Sequence, residues 1–275
     1  MRDNEVAAAK RVRPPRENSM PIGDLSLAQA LLAARRSTSP AAVPADDVPV
    51  AQAYAAQRAV HVALTLPVMV WKLGLTSEGA RMAHGAHEPA VGRLRASDIF
   101  CNHGTIDFCG DEMFAEAELV FELGEDLPPR TKAYTRAEVA AALKGVWAGI
   151  EIVRTRFEHS ELPLGLLIAD NVMGYGLVLG DRLATGWEAR FAAMPVTLTI
   201  DADAPVAGST DRVMGDPLDA LVWLANWLCV HGEGGLRAEQ LVAAGSCTGV
   251  TEIHRGDTIV AAFDQAGIAR VVLSA

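Results

Sequence analysis

Residues 114–123 read FAEAELVFEL, and the reading of this stretch decides the fold. In a β-strand, successive side chains point to opposite faces. Ala115, Ala117, Leu119, Phe121 and Leu123 then share one wholly apolar face that must lie on a core. Phe114, Glu116, Glu118, Val120 and Glu122 share the other. Glu116 and Glu118 project side by side, two residues apart, and can reach one hard cation, because Mg²⁺, Mn²⁺ and Ca²⁺ take oxygen ligands from a few carboxylates. The competing reading is the solvated face of an antiparallel strand.

Outward from this strand, the 275 residues are half hydrophobic and carry a formal charge of −10, enough apolar material for a sizeable core. Such acidity argues against a nucleic-acid or anionic-membrane partner. The four cysteines, Cys101, Cys109, Cys229 and Cys247, form no C-x-x-C pair and no dense framework, which suits a reduced, cytoplasmic compartment. No apolar run is long enough to span a bilayer. The first residues are basic without the apolar segment of a secretory signal. Residues 1–21 read as a disordered tail, with Met20 as a candidate natural start.

Residues 22–66 read as a helical N-terminal region. Ser26 is placed to cap a helix running to about Arg36, residues 37–47 (STSPAAVPADD) are a linker, and a second helix is expected over about 50–64. From residue 67 the character changes. VMVWKLGL, AELVFEL, GIEIV, GYGLVLG, PVTLTID, TIVAAF and ARVVLS are short β-branched or alternating runs separated by Gly, Pro and Asp. Two helices interrupt them. One is expected over 136–144 behind Thr135, and one starts at Pro217 behind the N-cap Asp216 and closes near Gly232. Gly174, Gly176 and Gly180 have the wrong spacing for a dinucleotide turn. The pattern predicts an α+β fold, with residues 67–275 forming a curved mixed sheet or sandwich behind the helical N-terminal piece.

Glu151 lies between Ile150 and Ile152, where burial of an unpaired carboxylate would cost several kcal/mol. Its partner is either an arginine, with Arg154 and Arg156 at hand, or the cation held by Glu116 and Glu118. Lys72 sits inside the apolar run VMVWKLGL and is therefore desolvated, which suits it to proton transfer or to binding an anionic substrate. The alternative is a lysine snorkelling from an edge strand. His84 and His87 fall in a segment whose Gly85 and Pro89 indicate an exposed loop.

The order of these motifs resembles the fumarylacetoacetate hydrolase superfamily, in its 2-keto-4-pentenoate hydratase and 4-oxalocrotonate decarboxylase branch. The resemblance rests on WKLGLTS (71–77), AEAELVFELG (115–124), GIEIVRTR (149–156), IADN (168–171), WLAN (223–226), AGSCTG (244–249) and RGDTIVAAF (255–263). It implies a β-rich mixed sandwich or roll, with Mg²⁺ or Mn²⁺ on Glu116, Glu118 and Glu151 and an active-site lysine at Lys72. It also implies a metal-dependent lyase acting on a small 2-oxo or 2-hydroxydienoate acid; Ser246, Arg154 and Asp170 are the candidate substrate-binding residues. Hydration is the first expectation, decarboxylation of the 4-oxalocrotonate type the second, and a non-catalytic partner subunit the third. A homo-oligomer is expected, and the family also pairs decarboxylase with hydratase in one complex. Two positions depart from the family pattern: E-I-V-D-S-R becomes Glu151-Ile-Val-Arg154-Thr155-Arg156, and Pro89 is followed by Ala90.

Overall fold

A computed structural model describes residues 24–275 apart from 38, 110 and 111, so the tail expected over 1–21 and the start near Met20 lie outside the described residues. From the N-terminal side, α1 (Asp24–Arg36) and α2 (Val50–Ala63) precede β1 (Val70–Gly74), α3 (Glu78–His84), β2 (Ala90–Leu94), β3 (Ile99–Cys101), β4 (Gly104–Ile106) and β5 (Met113–Leu123). Then come α4 (Arg136–Ala141), β6 (Leu143–Val153), α5 (Leu164–Ala169), β7 (Gly174–Ala184), β8 (Pro195–Ile200) and β9 (Val206–Ser209). The chain continues through α6 (Pro217–Val230), β10 (Leu241–Ser246), β11 (Thr251–Ile253), β12 (Thr258–Phe263) and β13 (Gly267–Leu273).

The strands form two sheets. The larger runs β2-β1-β10-β5-β6-β7-β3, with β11 also paired to β5; the smaller runs β4-β13-β12-β8-β9. The alternation in residues 114–123 is realised in full. Ala115, Ala117, Leu119, Phe121 and Leu123 are buried in a core shared with Val196, Leu198, Ile259, Ala261 and Phe263 of the smaller sheet. The opposite face is not solvated, however. Val120 packs there with Val70, Leu94, Leu177, Leu241 and Ala243, so β5 is covered on both sides at its centre. Two-sided burial is the mark of an interior strand. Glu122, the outermost carboxylate of that face, instead meets Lys144 at 2.7 Å and the Trp147 indole.

The N-terminal helices share this core through Leu27, Leu31, Ala53 and Val60. Gln57 of α2 is buried and donates to Val91 O at 2.9 Å and Ile168 O at 2.8 Å, which ties α2 to β2 and α5. The Asp216 side chain accepts from Leu218 N at 2.9 Å, as its position before Pro217 predicts. Three expectations differ. Ser26, expected to cap the first helix, lies inside α1, whose described residues begin at Asp24. The helix expected to reach Lys144 stops at Ala141, because Leu143 enters the ladder opposite Leu123, and pairing with β5 overrides local helical preference. The segment read as a loop around His84 begins as α3, capped by Ser77 at one end and by Gly85 in the left-handed region at the other. The fold is α+β and β-rich, with two curled sheets and few helices. No described helix is long and apolar enough to cross a membrane.

Candidate active site

Strand register assembles the site. In the β5–β6 ladder Glu116 stands opposite Glu151 and Glu118 opposite Gly149, so three carboxylates fall on one face of adjacent strands. In the β1–β10 and β1–β2 ladders Lys72 aligns with Ala243 and Gly92. The curl of the sheet closes the remaining distance. Lys72 Nζ lies 2.9 Å from Glu151 Oε1 and donates to Val172 O at 2.7 Å. Lys72 is 1% exposed, and Glu118 and Glu151 are fully buried. The lysine of the apolar run therefore does not snorkel, and the partner of Glu151 is Lys72, not Arg154 or Arg156.

The surroundings hold these groups at backbone level. A Cβ at Gly92 would lie 2.7 Å from Lys72 Cγ and 2.8 Å from Asn171 O, so the lysine stem needs a residue without a side chain there. Gly245, at φ +117°, donates its N–H to Glu118 Oε2 at 3.0 Å from a conformation that L side chains rarely adopt. Asn171, Val172 and Met173 have φ of 60°, 53° and 56°, three left-handed residues in succession. A β-branched valine in that region is strained. The turn aims Val172 O at Lys72, and Asn171 Oδ1 and Nδ2 clamp the backbone N and O of Arg93, each at 2.8 Å.

Lys72, Glu116 and Ser246 open onto a cavity of about 520 Å³ among Leu75, Phe114, Val153, Leu167 and Val172, while Glu118 and Glu151 are buried and do not line it. The Ser246 hydroxyl accepts from Gly249 N at 2.9 Å and lies close enough to the Glu116 carboxylate to lower its proton affinity. One oxygen each from Glu116, Glu118 and Glu151 lies within 4.8 Å of the others. Glu118 Oε1 and Glu151 Oε2 are buried without a hydrogen-bond donor. Three carboxylates against one lysine leave an excess of two negative charges in a closed space, which is costly unless a cation enters. The donor set, all oxygen, suits a hard divalent ion. The residues therefore fit the metal that the sequence implies.

Proton affinities report the same compression. Burial raises all three carboxyls. Glu118 is held well above the ordinary range by burial and then by Glu151 and Glu116. Glu151 is raised to about 7 by burial and by Glu116, against the opposing pull of Lys72. Glu116 is also raised, with Lys72 and Ser246 opposing. A carboxyl raised in the folded state contributes stability below its unfolded value that is lost as pH climbs through the folded value. Metal-free protein should thus lose stability between about pH 4.5 and 7, by roughly 3 kcal/mol for the Glu151 shift at ~1.4 kcal/mol per unit. Thermal melts should show divalent ions stabilising the protein more at pH 8 than at pH 5, with a flatter metal-free slope for Glu151→Gln. Equal slopes in the two proteins would refute this account.

Not every residue expected at the site is there. Arg154, the next residue after Val153, points away from this cavity, with Nη1 3.0 Å from Cys109 Sγ. Asp170 is fully buried, accepting from Arg156 N at 2.8 Å and Thr155 Oγ1 at 3.3 Å, with the Arg156 guanidinium 3.6 Å away. It braces the turn after β6 and does not line the cavity. Ser246 does line it. His84 lies on the rim with Nδ1 3.1 Å from Ala80 O, while His87 stays outside. Sequence reasoning passed over Thr76, packed beneath Gly245, and Arg212, on the cavity wall with Nη1 3.4 Å from Thr248 O. Arg212 precedes a helix in a segment without periodicity, so no pattern pointed to it.

No family model matches the chain. It is 29% identical over 250 residues to a 2-keto-4-pentenoate hydratase of Paraburkholderia xenovorans (strain LB400), covering 88% of this chain and 92% of that protein. A 4-oxalocrotonate decarboxylase of Pseudomonas sp is 28% identical over 193 residues, covering 68% and 72%. Among solved structures, 4-oxalocrotonate decarboxylase from Pseudomonas putida G7, complexed with magnesium and adipate, superposes with a TM-score of 0.78 at 19% identity, over 93% of this chain and 100% of that one. Fumarylpyruvate hydrolase from Pseudomonas aeruginosa, with Mn²⁺ and pyruvate, gives 0.58 at 15% identity, over 76% and 91%. The order of strands, the acidic centre and these likenesses support the resemblance to the fumarylacetoacetate hydrolase superfamily, in the branch of the 2-keto-4-pentenoate hydratases and 4-oxalocrotonate decarboxylases.

Proposed function

We propose that this chain is a divalent-metal-dependent hydro-lyase that hydrates a small 2-hydroxydienoate or 2-oxo acid, as the name of the 2-keto-4-pentenoate hydratases describes. The observation that carries the reading is the buried carboxylate trio beside Lys72, with two oxygens that no protein donor serves. A cation held by Glu116, Glu118 and Glu151, proposed as Mg²⁺ or Mn²⁺, would supply the positive charge that stabilises negative charge developing on the substrate's 2-oxygen.

The chain's own residues supply the rest. Hydration of a dienol requires loss of the 2-hydroxyl proton with gain of one at the far end of the conjugated system, then addition of water to the enone so formed, its hydroxyl to the distal alkene carbon and a proton to the carbon beside the carbonyl. Lys72 is the group placed to carry protons, because its Nζ opens on the cavity while Glu151 and Val172 O fix its position. Ser246 orients the Glu116 carboxylate. Leu75, Phe114, Val153 and Leu167 give the hydrocarbon part of the substrate an apolar wall and keep bulk water from the reacting carbons.

Decarboxylation is the second reading, since the same electron sink would accept the electrons left by CO₂. Arg212 favours it: a guanidinium on the cavity wall suits a second, distal carboxylate. The test is to supply a five-carbon 2-hydroxydienoate and its six-carbon dicarboxylate counterpart, each with Mg²⁺, Mn²⁺ or chelator. Metal-dependent loss of dienoate absorbance without CO₂ release is expected for the monoacid. CO₂ release from the dicarboxylate would favour the second reading, and turnover of neither would leave a non-catalytic partner subunit. The proposal includes a reduced cytoplasmic setting, a homo-oligomer and a related lyase as complex partner; all four cysteines are unpaired.

A further inference from the structure

The arginine that the sequence sent to the substrate belongs to a second cavity. This one measures about 370 Å³ and lies on the far side of the wall made by Val153 and Met173, which line the active site. Arg154 N donates to Met173 O at 2.8 Å, so the two cavities share that partition. Arg35 and Arg36 from the last turn of α1 meet Arg95, Arg154 and Arg156 around it, with Asp98 as the acid on its wall. In a chain of formal charge −10, five arginines in one recess run against the composition.

Their partners do not use them up. Arg95 is satisfied by Asp98, with two contacts of 2.9 Å and 2.7 Å to its two oxygens. Arg156 is tied to the carbonyls of Arg154 and Gly174 and lies near the buried Asp170. Arg154 has only a thiol, a weak acceptor, for its Nη1, and sits 5.9 Å from the Tyr175 ring centre. The Arg35 guanidinium makes no hydrogen bond to any described residue, and burial and then Arg156 push it down to about 9. Five cations thus face two acids, and the Arg35 guanidinium is partly buried without a hydrogen bond to a described residue. Arginine forks bind carboxylate and phosphoryl oxygens in pairs. Phe100 and Tyr175, stacked with ring centres 6.4 Å apart, add a flat wall.

We infer that this recess is a second ligand site, separate from the metal-binding cavity, that takes a metabolite-sized organic anion with two or more negative charges on phosphoryl or carboxylate groups. Its volume falls in the range of small-molecule pockets and exceeds the needs of a single inorganic ion. The unused forks of Arg35 and Arg154 provide the recognition, and the aromatic wall receives the organic part. Binding would relieve the mutual repulsion of the arginines and so stabilise the folded chain.

The test is calorimetric titration and thermal melting of the full-length protein with Mg²⁺ in excess. AMP serves as the phosphoryl probe, tricarballylate as the carboxylate probe and acetate as the monovalent control. One probe at least should bind once per chain with Kd below about 1 mM and raise Tm, and the probe that does so names the chemistry. Arg35→Gln and Arg154→Gln should each weaken binding by about tenfold or more, whereas Glu116→Gln should leave it unchanged. If Arg35→Gln fails to fold, by circular dichroism, Arg154→Gln decides. Absence of binding by both probes, or binding that survives the arginine changes or is lost in Glu116→Gln, overturns the inference.

Discussion

Lys72→Met is expected to lower kcat by about 10²-fold or more, the loss typical of a removed general acid–base group, while divalent-metal binding persists. Methionine keeps an unbranched apolar stem in the slot between Gly92 and Gly174, where a Cβ would come within 2.7 Å and 3.0 Å of the lysine side chain. The substitution therefore removes the amine with little change in packing. It also frees Glu151 from its only cationic contact among the described residues, at 2.9 Å, so the carboxylate trio should hold a divalent ion at least as well as before. Lys72→Arg should not restore activity. The guanidinium is larger than the glycine-lined slot permits, and it does not give up its proton near neutral pH. Rapid-mixing measurement of kcat, alongside metal titration of the same proteins, reads both effects. Full activity in Lys72→Arg would make residue 72 an electrostatic clamp on the substrate carboxylate, and full activity in Lys72→Met would remove it from the chemistry.

Glu118→Gln should move metal binding and metal-free stability in opposite directions. Glu118 is fully buried, one oxygen held by the Gly245 N–H and the other without a donor, and its proton affinity is raised well above that of an ordinary carboxyl by burial and its two acidic neighbours. At neutral pH the ionised form is costly, and a neutral isostere removes that cost. Metal-free Glu118→Gln should melt higher than metal-free wild type at pH 8, on the order of 3 °C or more. Its affinity for Mg²⁺ or Mn²⁺ should fall by ~10²-fold or more, since even removal of a group that merely orients a ligand costs up to that much. Metal-dependent turnover should vanish. Melts with and without the ion separate the two terms: a variant that melts lower without metal, or keeps its metal-induced shift, contradicts the assignment.

Much of this centre was legible because it depends on strand parity. Alternation fixes which residues of 114–123 share a face, and an acid between two isoleucines in 150–152 demands a partner. The fold class followed from the same short alternating runs. Long-range pairing was not legible. The register that sets Glu151 opposite Glu116, and the curl that brings Lys72 from β1 to it, are tertiary facts. The solvated-face alternative for β5 fails because strands on both sides supply Val120 with buried neighbours. Arg154 illustrates the limit most directly. Parity puts it on the side opposite Val153, but only the structure shows a second recess waiting there.

The left-handed turn at 171–173 separates two things that usually change together. The acceptor that holds Lys72 is a main-chain oxygen of Val172, and the side chain of the same residue is part of the substrate's wall. Mutation can replace the side chain, but the oxygen comes with every amino acid that tolerates the turn. On the proposed function, residues 172 and 173 can change in size and shape, altering which substrate tails are accepted, while the Lys72 amine keeps its anchor. Specificity in such a site can diversify without each change being a wager on the chemistry.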